Sequence, residues 1–282
     1  MPKSKIPWCD HTHNLMVGCP LPLVSPGCEH CWARAAHNQR HKAYLAGKKL
    51  PKMYAHPFEV LQYFSEPFAE IFNRKKATVY FVGSQTDVFH KDAPFWFLLD
   101  LYEQMCFCCR HTFIILTKRP KEMVRFWHTQ KQKPLPNVFH YVTICNQAEA
   151  DEKIPQFLEI DCGFHGINIE PMLGPVDLRP WIADVDDVIV DSESGRKRRV
   201  CDINLRPWTP AIDHVIVGCE SGKHRRPCDT AWIENLLFYH AGNIYIKQIQ
   251  VGDDNDNKVV TNPKDYPEYW IGHRVLPWKV QR

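Results

Sequence analysis

The sequence predicts an α/β fold, a complete or partial (β/α) barrel of TIM type, formed as a single domain over residues 1–282 with an inserted, duplicated strand-loop lobe at 177–203. Three observations predict it. Short apolar runs alternate with stretches of helical spacing from residue 78 onward, as strands buried on both faces do when crossover helices join them. With the apolar run Asn14–Val17 before Cys19 there are about seven such runs, which favours a barrel over an open sheet. Each run ends on polar or charged residues, the positions that surround a shared mouth in such barrels.

The elements follow in order. Asn14-Leu15-Met16-Val17 is expected as the first strand, leading into Gly18-Cys19. From Cys19 to Cys31 three thiols recur at C-x8-C-x2-C, and Pro20, Pro22 and Pro26 hold the segment off helix and strand, with Gly27 expected at a tight turn. Trp32 to Ala46 is alanine-rich and stops at Gly47, so it reads as a helix. The prolines at 51, 57 and 67 mark a connection with a helix near Pro67 to Asn73. Strands are then expected at Thr78–Gly83, Thr112–Thr117, Val138–Ile144, Gly166–Ile169, His214–Val217 and Asn243–Lys247. The intervening helices are expected at Pro94–Cys109, from Pro120 to about Trp127, near Ala148–Leu158 and at Thr230–Ala241.

Residues 177–203 and 204–230 align at a constant offset of 27. Leu-Arg-Pro-Trp at 178–181 recurs at 205–208, Val-Ile-Val at 188–190 recurs at 215–217, and Glu-Ser-Gly at 193–195 recurs at 220–222. One repeat pair is too short for a solenoid. The second copy leads into the final helix and strand, so it is expected to supply the barrel strand, with Glu220 rather than Glu193 at the mouth.

The polar groups that follow the runs are the candidate site. Lys118, Glu170 and Glu220 are candidate catalytic residues, because long charged side chains directly after apolar strands face the mouth. Ser84, Asp87, Lys118, Asn146, Glu170 and Lys247 are candidate cofactor contacts. The plain alternative is that a Ser or Asp at a strand end is a cap.

Cys19, Cys28 and Cys31 are candidate metal ligands. Three thiolates are one short of a closed zinc site but hold a [4Fe-4S] cluster with one iron open to a small molecule. Cys9, His11, His13 and His30 lie close enough in sequence to make zinc a rival, and free cysteines also pack as small hydrophobes. Cys106, Cys108 and Cys109 fit as packing on a helix, with a second cluster as the alternative. Twelve cysteines without a secretory leader read as reduced thiols in a cytoplasm. No stretch approaches the ~18 apolar residues of a membrane helix. The net charge of +3 is too mild to establish nucleic-acid binding, although Arg196–Arg199 and Lys223–Arg226 are short basic clusters.

Gly18-Cys19, Ser25-Pro26-Gly27-Cys28-Glu29-His30-Cys31-Trp32-Ala33, Asp87-Val88-Phe89-His90, Leu116-Thr117-Lys118-Arg119-Pro120, Ile169-Glu170-Pro171-Met172-Leu173-Gly174-Pro175 and Val215-Ile216-Val217-Gly218-Cys219-Glu220-Ser221-Gly222 together resemble the signatures of the phage- and prophage-associated three-Cys-motif proteins. That family is similar to radical S-adenosylmethionine (SAM) enzymes and distantly to the spore photoproduct lyase group. The resemblance implies that Cys19, Cys28 and Cys31 hold a [4Fe-4S] cluster whose open iron takes SAM. One electron, from a donor such as flavodoxin or ferredoxin, would cleave SAM and start radical chemistry on a nucleotide or nucleic-acid-related substrate. The chain departs from the usual C-x3-C-x2-C spacing, and His30 stands where an aromatic residue is usual. The alternative is a zinc- or cluster-stabilised module that binds nucleic acid or protein without radical catalysis.

Overall fold

The structure is a computed structural model and describes residues 3–64, 68–182, 212–221, 225–239, 244–251, 258–262, 264 and 266. In chain order the first half holds β1 (His11–His13), β2 (Met16–Val17), α1 (Trp32–Leu45), β3 (Gln62–Tyr63), α2 (Phe68–Asn73), β4 (Val79–Val82), α3 (Phe95–Phe107) and β5 (Thr112–Thr117). The second half holds α4 (Pro120–Gln130), β6 (Val138–Ile144), α5 (Gln147–Phe157), β7 (His165–Ile169), β8 (His214–Gly218), α6 (Thr230–Tyr239), β9 (Ile244–Val251) and β10 (Lys258–Val260).

Eight strands form one sheet in the order β1-β4-β5-β6-β7-β8-β9-β10. Every pairing from β1 to β9 is parallel, and only β10 runs antiparallel to its neighbour. Among the described residues the sheet is not closed. Its order runs from β1 at one edge to β10 at the other, so the fold is a mixed α/β one built on a large, mostly parallel sheet.

The expected first strand needs correction. Met16–Val17 does not enter the large sheet but pairs antiparallel with β3, and the edge strand is His11–His13, in register with Tyr80–Val82. Two histidines hid this strand from a search for apolar runs. His13 is nonetheless fully buried, edge-on to Phe68 and near Tyr80, so its ring serves as an aromatic core residue.

Alternation along the strands divides the core in two, because successive side chains leave opposite faces. Tyr80, Val82, Phe113, Ile115, Val142 and Ile167 point to the face covered by helices, where Leu98, Leu101, Met105, Phe126, Ile154 and Phe157 meet them. Truncating one of these buried aromatics, such as Phe126, to alanine would cost ~3–5 kcal/mol. Phe81, Ile114, Phe139, Tyr141, Ile216 and Tyr245 point the other way and form a second, smaller cluster with Trp8 and Cys9. β4 and β9 lie near opposite edges, yet Phe81 and Lys247 line one cavity, so the sheet curves.

The second copy of the duplication supplies β8, between β7 and β9. Of the first copy, residues 183–203, with Glu193 and the Arg196–Arg199 cluster, lie outside the described residues. No helix among the described residues is long and apolar enough to cross a membrane.

Candidate functional site

Where the parallel strands end, the curved sheet opens into a cavity of about 440 Å³. Cys19, Cys28 and Cys31 line it together with Ser84, Asp87, Lys118, Glu170, Glu220 and Lys247, so every candidate from the sequence except Asn146 reaches one place. Asn146 instead caps α5, its side chain accepting from the Glu149 amide at 3.0 Å.

The backbone of the cysteine segment is fixed at each cysteine. The Cys19 amide donates to the Phe58 carbonyl at 2.7 Å, and the neighbouring Gly18 carbonyl accepts from Thr86 Oγ1 at 2.6 Å. Gly18 has φ of 103°, and a Cβ there would lie 2.2 Å from the Val60 oxygen, so both conformation and space demand glycine. Pro26–Cys28 forms one 3-10 turn capped by Ser25. Gly27 is needed there for close approach: a Cβ would sit 2.8 Å from Cys145 Sγ and 3.0 Å from Pro171. Cys31 is the N-cap of α1, which places its thiol at the positive end of a 14-residue helix.

A buried network invisible to the sequence reading holds this segment from below. Glu149 Oε2 accepts from the Cys145 amide at 2.7 Å and from Ser25 Oγ at 3.2 Å, while Oε1 pairs with Lys153. Lys153 in turn donates to the Val24 carbonyl at 3.4 Å. An acid and a base four apart on a helix ordinarily read as a solvated surface pair. Here the pair is buried and bonded to Val24, Ser25 and Cys145.

Lys118 lies half-buried beside the thiols. Burial opposes its charge, but Cys28, Cys145, Asp87 and Cys31 together outweigh that and raise its pKa. Arg119 is buried; it interacts with Cys19, and its Nε lies 4.0 Å from Asp87. The Cys19 thiol is pushed up to about 11, first by burial and then by Asp87, against the pull of Arg119. Metal binding there must therefore displace a proton. Asp87 braces the strand ends, accepting from Thr117 Oγ1 at 2.7 Å and from the Lys118 amide at 2.8 Å. Ser84 likewise donates to Asn14 at 3.1 Å.

Across the cavity Glu170 pairs with Lys247, each partly buried. Below them Asn168 donates to Thr143 Oγ1 at 3.3 Å, and its Oδ1, buried, has no hydrogen-bond partner. A single polar residue inside the apolar run Ile167 to Ile169 was the available signal for it. Glu220 is 5% exposed and already engaged: Arg226 reaches it through its amide at 2.8 Å, Nε at 3.2 Å and a second guanidinium nitrogen at 2.7 Å, and His30 Nδ1 lies 3.1 Å away. Burial alone would raise the Glu220 pKa, and the Arg226 contacts reverse that and lower it. Arg226 also reaches Glu29 and the Pro26 carbonyl, both at 3.0 Å, so it clamps the cysteine segment to the end of β8.

Among the described residues no three His, Cys, Asp or Glu side chains converge as a ready-made site for one metal ion. A single zinc needs its donors within about 2.3 Å of one point, whereas a cluster spreads its thiolates over separate irons. Three part-buried cysteines line this one hollow with Lys118 and Arg119 beside them, a donor set that a cluster held by three thiolates could use.

A family model described as a protein of unknown function (DUF5131) matches residues 3–244 of the chain. The chain belongs to the DUF5131 family. The DUF5131 match spans all of the cavity from Cys19 to Glu220 and ends just before Lys247. Neither the curated proteins nor the solved structures hold a match to the chain.

Proposed function

We propose that the chain is a radical-SAM-type iron–sulfur enzyme, like the phage- and prophage-associated three-Cys-motif proteins it resembles, with its curved sheet forming a partial (β/α) barrel. One observation carries this reading: three cysteines from a single segment line the same cavity as Lys118, Glu170 and Lys247. Cys19, Cys28 and Cys31 would hold the cluster. When bound, that cluster supplies the electron that cleaves SAM, itself received from a flavodoxin- or ferredoxin-like donor.

The chain's own residues bind and orient. Lys118 offers a half-buried cation to the carboxylate of SAM or to a substrate phosphate, where a charge-assisted hydrogen bond is stronger than at an exposed surface. Glu170 and Lys247 present an acceptor and a donor on the opposite wall, suited to an amino group and to hydroxyls. Asn168 and Thr143 leave an amide oxygen and a hydroxyl for the edge of a nucleotide-like substrate. Glu220, engaged by Arg226 and His30, holds the cysteine segment rather than meeting the substrate.

The test is SAM turnover by anaerobically reconstituted protein given a chemical reductant. Formation of 5′-deoxyadenosine by the wild type and its loss in Cys28→Ala supports the reading. Intact SAM after full cluster loading contradicts it and leaves a binding module.

A further inference from the structure

The net charge of the chain is concentrated in one place beside the cavity. Between His30 and Phe58 there is no Asp or Glu, while Arg34, Arg40, Lys42, Lys48, Lys49 and Lys52 give this segment six positive charges. The whole chain carries +3, so everything outside the segment is net acidic by three. A mild overall balance thus conceals a strongly basic face.

The charges are displayed rather than neutralised. Arg40, Lys42, Lys48, Lys49 and Lys52 are all exposed, and among the described residues none of the five is paired with a carboxylate; only Arg34 is, with Glu59 at 3.6 Å. Arg40 lies over the Tyr54 ring at 5.5 Å, which fixes its direction without lowering its charge. Five exposed cations without a carboxylate partner set up a positive field on this part of the surface.

This face starts at the cavity. Trp32, the first residue of α1, lines the cavity and is nevertheless 51% exposed. Trp32, Ala35, Gln39 and Lys42 follow at helical spacing on one side of α1, and all four are exposed. At 1.5 Å per residue the stripe runs ~15 Å from the indole to the Lys42 position; Lys48 and Lys49 follow the helix end, and the chain then turns back along α1, where the Tyr54 and His56 carbonyls meet His41 and His37.

We infer that α1 and the basic segment after it form a track for a single-stranded nucleic acid, with Trp32 stacking on a base next to the nucleotide that enters the cavity. An aromatic platform at the mouth and spaced, flexible cations leading away from it are the parts that sequence-tolerant strand binding uses. A duplex cannot deliver a base into a cavity unless that base leaves the stack, whereas a strand can lie along the helix and turn one base inward. A folded acidic protein would meet the lysines but has no use for an indole at the edge of a ligand cavity. The inference rests on the nucleic-acid part of the proposed function and not on the cluster chemistry.

The test uses the full chain without cluster, and fluorescence anisotropy with a labelled single-stranded oligonucleotide across a salt series. Lys42→Ala/Lys48→Ala/Lys49→Ala should weaken binding at least tenfold and flatten the slope of log K against log salt by about 2, at ~0.7 per phosphate contact. Trp32→Ala should weaken it roughly fivefold or more, with the salt slope unchanged. Lys131→Ala/Lys133→Ala, exposed after α4, should change nothing. The inference is overturned by no oligonucleotide binding at low salt, by variants that bind like the wild type, by a duplex binding as well as the strand, or by polyglutamate competing as well as the oligonucleotide. Because no cluster is present, failure here leaves SAM turnover untouched, and failure of SAM turnover leaves this result standing.

Discussion

Replacing Glu149 by Gln should destabilise the whole chain and the cysteine segment together, although Glu149 lines no part of the cavity. Its side chain is 8% exposed and that of Lys153 is 6% exposed. The carboxylate is the acceptor for Lys153, the Cys145 amide and Ser25 Oγ. Removing its charge leaves the Lys153 ammonium buried without a counter-ion, and breaking such a pair costs ~3–5 kcal/mol. At ~2–4 °C per kcal/mol for a chain of this size, the melting temperature should fall by about 10 °C. Thermal unfolding followed by circular dichroism measures it. Glu149→Met/Lys153→Met should cost less than Glu149→Gln alone, since no unpaired charge remains. A drop under ~2 °C for the single variant, or a double variant worse than the single one, would refute the reasoning.

Three further outcomes are expected. Lys118→Ala should weaken SAM or substrate binding roughly tenfold, as loss of a charge-assisted hydrogen bond does, with iron content unchanged; calorimetric titration that shows wild-type affinity for both contradicts this. Arg226→Lys should lose iron to a chelator faster than the wild type without unfolding, because an ammonium cannot span Glu220, Glu29 and the Pro26 carbonyl at once; equal loss rates would remove the clamp. His13, pushed down to about 4 by burial despite the opposing charge of Glu70 and packed on Tyr80, should make stability fall as pH drops. The unfolded chain binds that proton near 6.5 and the folded chain only near 4, so about 2 kcal/mol is lost between pH 7 and 5. Urea unfolding of His13→Leu should show that much less pH dependence, and an identical profile would acquit His13.

The strands at Thr112–Thr117 and Val138–Ile144 stand where the sequence places them, because parallel strands buried on both faces are continuous apolar runs. His11–His13 and Lys258–Val260 do not announce themselves that way: one is an edge strand with two histidines and the other an antiparallel edge strand of three residues. Whether a sheet closes depends on curvature and edge pairing, and local pattern holds neither. Lys118, Glu170 and Lys247 were legible as cavity residues because a charge directly after an apolar strand has little choice of direction. Asn146, expected as a cofactor contact, is instead a cap, and Asn with Glu three residues later is the helix-start signature that marked it. Glu149, Lys153 and Arg226 take their roles from segments distant in sequence, which no local spacing reveals.

The central claim is that Cys19, Cys28 and Cys31 hold one [4Fe-4S] cluster at the cavity. Iron and sulfide analysis of anaerobically reconstituted protein, with its absorbance spectrum, tests this most directly. About four irons per chain with broad absorption near ~400 nm, abolished in Cys28→Ala, is the expected result. Stoichiometric zinc without iron, or an unchanged iron content in Cys28→Ala, would contradict it.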